Sequence, residues 1–330
     1  MTLRGRARRA LEPVIGPDRT KRLGAMERDW RRRAARVLEP PAPPAPPKAS
    51  PPAKASPPAQ APAKRAATSR WQPPDPFADF PPPSHSRHDL LAQLHERVQP
   101  ETYLEVGVRW GDSLTLARCV SVGIDPSFKI TRELHGHIHL ERTTSDEFFA
   151  REDPLSVFEG RPVDLAFIDG LHLAEFALRD FINLERHMAP GGVVVFDDML
   201  PRNPLEASRV RKTRAAPGDV FKVVTVLRQN RPDLAVLPVN TSPTGTLVVT
   251  GLDPSSTVLG DRYEELVPFL EARDPQEVPD ELLHRTSALE ADVLLNSVDW
   301  DLARKLRHAP AGDPDLRAFV NHLADLPRIG

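Results

Sequence analysis

The chain has 330 residues, a formal net charge of −2, 40% hydrophobic residues and one cysteine, Cys119. That apolar content is enough for one large or two small folded units, the near-neutral charge excludes a chain-wide polyanion binder, and the lone cysteine excludes a disulfide framework or a cysteine metal site. No apolar run of roughly 18 residues occurs, and the basic start lacks the apolar stretch of a secretory signal, so a soluble, cytoplasmic protein is expected.

Residues 1–39 form a basic arm in which Arg4, Arg6, Arg8, Arg9, Arg31, Arg32, Arg33 and others face five acidic residues. Leu23, Met26, Trp30, Ala34 and Leu38 recur at three- and four-residue spacing, the pattern of an amphipathic helix. The arm is a candidate contact for an anionic membrane surface or nucleic acid, and so for a peripheral membrane location; a solvated or partner-packed helix is the bland alternative. Residues 40–85 are dominated by Pro, Ala, Ser and Lys and read as a disordered linker, locally extended and unable to bury a core.

The folded part is expected to start near Ser86, a candidate cap for a helix over 89–98 that places Leu90, Leu91, Leu94 and Val98 on one face. Short apolar runs then predict β1 (102–106), β2 (120–125), β3 (137–140), β4 (163–168), β5 (193–196), β6 (234–238) and β7 (246–250). Helical segments are expected between them: from about Ser113, around 130–134, near 145–150, over 173–188 and over 220–229. Pro190, Gly191 and Gly192 read as a turn before β5. Continuous apolar strands alternating with helices describe a Rossmann-like, doubly wound α/β fold: a seven-stranded, mostly parallel sheet with its last strand antiparallel. The resulting domain spans 86–251. Residues 252–330 carry three further helical patterns (263–272, 280–295, 301–306) and no chemical motif. They could cover the core, form a homo-oligomer surface or cap a substrate.

In such a sheet ligands bind beyond the carboxyl ends of the strands. β1 ends in Glu105-x-Gly107-x-x-x-Gly111, a turn that lets a backbone approach a nucleotide-like ligand. It lacks the third glycine of a pyrophosphate-binding Gly-x-Gly-x-x-Gly loop, which disfavours a nicotinamide-dependent oxidoreductase. Asp125, at the end of β2, stands where a carboxylate accepts ribose hydroxyls. Asp169 closes β4, and Asp197 and Asp198 close β5. Three carboxylates at adjacent strand ends repel one another, and a hard divalent cation such as Mg²⁺ relieves that repulsion; the alternative is a turn cap or an ion pair with Arg202. His172 faces the same opening and is a candidate general base. His135, His137 and His139 alternate along β3, and solvent exposure at a sheet edge accounts for them better than a metal site does. The polar, basic segment 203–218 follows the carboxylates and is expected to be a mobile substrate lid; the charge of Arg209, Arg211, Lys212 and Arg214 suits an acidic or phosphorylated acceptor and equally a solvated loop.

Four stretches in order, Tyr103–Ser113, Gly123–Pro126, Phe167–His172 and Pro190–Asp198, resemble the class I S-adenosylmethionine-dependent methyltransferases. More narrowly, the Ile168-Asp169-Gly170-x-His172 motif is similar to that of the metal-dependent O-methyltransferases, antibiotic-sugar methyltransferases among them. The resemblance covers about residues 88–251. It implies S-adenosyl-L-methionine as cofactor, a divalent cation, and a small-molecule hydroxyl of a natural product or sugar as acceptor. It also implies that Glu105, Gly107 and Gly111 line the methionine and ribose part, that Asp125 holds the ribose, and that Ser145 and Asp146 lie near the adenine. Asp169, Asp197 and Asp198 would bind the cation, with His172 as base. Val108, Arg109 and Trp110 fill a loop that often carries further glycines in the broad class. A non-catalytic cofactor-binding module recruited by the basic arm is the rival reading.

Overall fold

The structure, a computed structural model, describes residues 82–330. The basic arm and nearly all of the proline-rich segment lie outside the described residues.

Helix α1 (Arg87–Val98) opens the fold. Ser86 caps it reciprocally: its hydroxyl accepts from the Asp89 amide, and the Asp89 carboxylate accepts from the Ser86 amide. Such a box satisfies two of the amides that a helix start leaves without partners. β1 (Thr102–Val106), β2 (Val120–Ile124), β3 (Ile138–Glu141), β4 (Val163–Ile168) and β5 (Met188–Phe196) are parallel. β6 (Ala235–Asn240) and β7 (Thr246–Thr250) form a hairpin, and β7 enters antiparallel between β5 and β6. The helices threaded between the later strands are α2 (Ser145–Phe149), α3 (Ala174–Glu185) and α4 (Lys222–Asn230). With a short eighth strand, β8 (Leu289–Glu290), the sheet order is β3-β2-β1-β4-β5-β7-β6-β8. The order reverses between β1 and β4, the place beyond which ligands bind in open parallel sheets.

Side-chain alternation along the strands divides the core. Leu104, Val106, Ala166, Ile168, Val194 and Phe196 join Leu178 and Phe181 of α3 and Val223 and Leu227 of α4 on one face. Tyr103, Leu165, Phe167, Val193 and Val195 join Leu90, Leu91 and Leu94 of α1 on the other. All are nearly inaccessible, so either face stabilises the sheet by burying apolar area.

Several expectations are corrected. No α-helix follows β1; only one 3₁₀ turn (Leu114–Leu116) forms before β2. The loop's polar side chains are spent on tertiary bonds, Ser113 to Glu105 and Thr115 to the Glu133 carbonyl. α1 shares the core with Leu114 and Ala117 and covers the face that such a helix would cover. Residues 130–134 are irregular because the Lys129 and Thr131 amides bond to the Arg109 and Trp110 carbonyls, which removes donors a helix would use. The Pro190-Gly191-Gly192 stretch lies within β5, where the register against β4 shifts.

The C-terminal region begins with α5 (Val258–Leu270). The single helical pattern expected over 280–295 is broken into α6 (Asp280–Leu283), a two-residue β8 (Leu289–Glu290) and α7 (Ala291–Ser297). Arg285, at φ 58°, turns the chain between them. β8 pairs in parallel with β6 and makes the sheet eight-stranded rather than seven-stranded. α8 (Trp300–Leu306) and α9 (Pro314–Ala324) complete the chain. Leu294, Leu295, Leu316, Phe319, Val320 and Leu323 pack in the same core as α1. Asp164 of β4 accepts from the Glu101 amide, Arg307 and His308, and so ties this region to the centre of the sheet. Among the described residues no helix is long and apolar enough to cross a membrane.

Candidate active site

The β1 and β4 turns meet backbone to backbone. Gly107 sits at φ 96°, and a Cβ there would fall 1.9 Å from the Asp169 carbonyl oxygen. Only glycine allows both the conformation and the approach. Gly111, at φ 82°, turns the loop over Ile130, whose methyl would lie 3.3 Å from a Cβ there. Asp125 organises the same loop: its carboxylate accepts from the Arg109 amide at 2.7 Å and the Ser127 amide at 2.6 Å. A carboxylate has about four lone-pair directions, so this partly exposed group retains acceptor capacity.

Glu105 is the penultimate residue of β1, at the open end of the sheet, but its side chain is turned inward. It is fully buried on the α1 side of the sheet, where the Ser113 and Tyr103 hydroxyls donate to it at 2.7 and 2.8 Å. Burial raises its pKa to about 8, against the two hydroxyls, which favour the ionised form. The sign follows: the folded state holds its proton more tightly than the unfolded chain does. The corresponding stability is full below the ordinary glutamate range and is lost as pH rises through 8. Glu105→Gln is therefore expected to flatten the fall in melting temperature between pH 5 and about 9; thermal melts of both proteins across that range check it. An equally steep fall in the variant would assign the pH dependence to other groups.

Ser145 and Asp146 begin α2, beyond β3. Ser145 donates to Asp180 of α3 at 2.5 Å, and Arg179 grips Asp146 through two bonds of 2.7 and 2.5 Å. Burial raises the Asp180 pKa to about 7, partly offset by the Ser145 bond. Both residues are thus locked to α3.

The second half of the opening lies where β4 and β5 end. The His172 ring stands between two carboxylates, with Nε2 3.3 Å from Asp169 and Nδ1 2.7 Å from Asp198. Nδ1 is also 3.1 Å from the Ala216 carbonyl. Burial works against the imidazolium, but the Asp198 and Asp169 carboxylates outweigh it and hold the His172 pKa well above its usual value. The Asp198 carboxyl is correspondingly depressed: burial opposes ionisation, and His172 and the Thr244 hydroxyl favour it more strongly. Burial, reinforced by Asp198 and Asp169, pushes Asp197 well up, against the attraction of Arg87.

Ligand atoms of Asp169, His172 and Asp198 lie within 4.8 Å of one another, the one such group among the described residues, so His135, His137 and His139 do not form another. Two carboxylate oxygens and an imidazole nitrogen at this separation fit a divalent cation by donor chemistry. Asp197 is aimed differently: Arg87, the first residue of α1, pairs with it at 2.5 Å. Arg202 pairs with Glu206 rather than with Asp197 or Asp198. A small, narrow cleft runs past Asp169, His172, Asp180, Asp197 and Asp198.

Segment 203–218 ends against this cleft. Gly218, at φ 68°, leaves room for the His172 carbonyl, which a Cβ would meet at 1.9 Å. Arg209 is an anchor rather than an acceptor-binding group: it bonds to both Glu175 oxygens, to Asp219 and to the Leu270 carbonyl. Arg87, Thr244 and Asp180 are the site residues that sequence reasoning missed. They sit near the opening only through the pairing of distant segments, and no local motif marks them.

A methyltransferase-domain family model matches residues 94–199. No curated protein sequence matches the chain. Among solved structures, the Podospora anserina methyltransferase PaMTH1 bound to S-adenosylhomocysteine is similar at 15% identity and TM-score 0.38, over 50% of this chain and 78% of that one. A putative caffeoyl-CoA O-methyltransferase from Staphylococcus aureus aligns at 16% identity and TM-score 0.36, over 49% and 81% of the two chains. The mycinamycin-pathway methyltransferase MycE, in complex with Mg and S-adenosylhomocysteine, aligns at 22% and 0.34, over 50% and 48%. The stretch matched by that methyltransferase-domain model runs from within α1 to just past β5 and takes in the motifs at the ends of β1, β2, β4 and β5.

Proposed function

We propose that the chain methylates a hydroxyl group of a small molecule, such as a natural product or sugar, with the help of a divalent cation. The observation that carries this reading is the His172 ring set between Asp169 and Asp198 at the mouth of the cleft. Gly107, Gly111 and Asp125 are the residues for the methionine and ribose part of the cofactor, with Glu105 fixing their loop from beneath through Ser113. Ser145 and Asp146 are assigned to the adenine end. Asp169 and Asp198 would hold the cation, whose chemistry is to lower the pKa of an acceptor hydroxyl.

His172 removes the hydroxyl proton. With both nitrogens facing carboxylates it is held as an imidazolium, and it becomes a base when Asp169 and Asp198 have another positive partner. The carboxylates also favour a positively charged sulfonium nearby, and segment 203–218, anchored by Arg209, borders the acceptor side.

Transfer of labelled methyl from S-adenosylmethionine to a panel of glycosides and phenols tests the reading. Dialysis against a chelator is expected to lower the rate by about a hundredfold or more, and added Mg²⁺ to restore it. Undiminished transfer by metal-stripped protein would reject the cation-assisted mechanism.

A further inference from the structure

Arg87 has no part in the chemistry proposed for the site. It is the first residue of α1, yet its guanidinium reaches the end of β5 and meets Asp197 at 2.5 Å. The Asp197 side chain is only 2% exposed, so the pair is sequestered from water at its acidic end. The placement is not incidental to a mobile side chain. The Arg87 amide bonds to the Ser242 carbonyl, and the Ser242 amide bonds to the His85 carbonyl, which fixes the start of α1 to the loop between β6 and β7. The same loop places the Thr244 hydroxyl on Asp198 and the Thr244 carbonyl on the Leu200 amide. One frame therefore delivers both a positive charge to Asp197 and a fixed orientation to Asp198.

We propose that Arg87 is a built-in competitor for the cation site: its guanidinium occupies Asp197 and thereby sets the affinity of the cluster for a divalent metal ion. This rests on the cation-assisted reading above. Asp169 and Asp198 present oxygens close to each other and to His172, while the third carboxyl, Asp197, is turned to Arg87. With Arg87 seated, one of the three is engaged and a fixed positive charge stands beside the other two. A metal ion entering the cluster is repelled by the guanidinium and denied the third oxygen donor. Charges a few ångströms apart in a partly buried site interact strongly. Arg87 is thus a positioning residue, acting through Asp197.

The test is Mn²⁺ binding to the full chain, read by the electron paramagnetic resonance of free Mn²⁺, which needs no turnover. Arg87→Gln keeps a hydrogen-bond donor for Asp197 and the start of α1 while removing the charge; Arg87→Met removes both. Each is expected to tighten Mn²⁺ binding about tenfold or more, whereas Arg87→Lys stays within about threefold of the parent. Adding Asp197→Asn to Arg87→Gln is expected to cancel most of the gain. A merely structural ion pair predicts the opposite, namely unchanged or weaker binding in the Gln and Met variants. If the parent binds Mn²⁺ and those two variants bind it equally or more weakly, the role of Arg87 alone is overturned. Absence of Mn²⁺ binding in every protein overturns the cation-assisted reading with it.

Discussion

Gly107→Ala is expected to abolish S-adenosylmethionine binding and to lower the melting temperature by about 10 °C or more. An alanine at φ 96° is strained by about 1–2 kcal/mol. Its methyl would also stand 1.9 Å from the Asp169 carbonyl oxygen and 2.5 Å from its carbon, and both belong to backbone that cannot rotate away. The β1 and β4 turns must then separate, breaking the bond from the Asp169 amide to the Val106 carbonyl and displacing the carboxylate that follows. A total near 4 kcal/mol is a large share of a domain's stability, roughly 5–15 kcal/mol. Gly160→Ala is the matched control, since Gly160 has φ 80° but nothing within 4 Å of its Cβ position. Calorimetric titration and thermal melts of both variants check the expectation. A Gly107→Ala protein that behaves like the Gly160 control would mean that the two turns are not in contact.

His172→Gln is expected to lower kcat by about 10²–10⁴-fold while leaving S-adenosylmethionine affinity within about twofold. The ring touches two carboxylates and one carbonyl, and the loop from Gly107 to Asp125 makes no bond to it among the described residues. The pH dependence gives a second reading. Because the neighbouring carboxylates raise the His172 pKa despite burial, the parent rate should climb with pH as the ring loses its proton, and this limb should vanish in the variant. In the folding equilibrium the sign is reversed: the protonated ring stabilises the fold at low pH, and that contribution is lost as pH rises through the raised pKa. Single-turnover rates against pH with saturating cofactor decide the matter. A retained pH limb would move the base elsewhere.

The strands and their chemistry were legible because they are local. Leu104, Val106, Ile168 and Phe196 lie in short apolar runs, each ending in a glycine or an acidic residue, and the parallel order follows from the segments between them. The capping box at Ser86 was half visible in the same way. Three features were not local. The helix expected after Gly111 failed because its polar residues bond to Glu105 and Glu133 and because α1, from earlier in the chain, already covers that face. The pattern over 280–295 broke where Leu289 and Glu290 pair with β6, a tertiary choice that periodicity cannot register. Arg209 looked like a free cation for an acceptor, yet Glu175 and Asp219 claim it. Among the site residues, Asp197 shows the limit best: its position beside Asp198 was readable, but its direction was decided by Arg87, 110 positions away.

The bonds from Arg307 and His308 to Asp164 carry a consequence for cooperativity. Asp164 lies in β4, at the middle of the sheet order, and the helices that follow β7 supply much of the apolar cover on the α1 face. Loss of those helices would open Val193, Leu237 and Val248 to water along with an unpaired buried carboxylate. Residues 252–330 are therefore expected to melt together with the strands that lead into Asp169 and Asp197. A boundary drawn at residue 251 separates sequence motifs; it does not separate folding units.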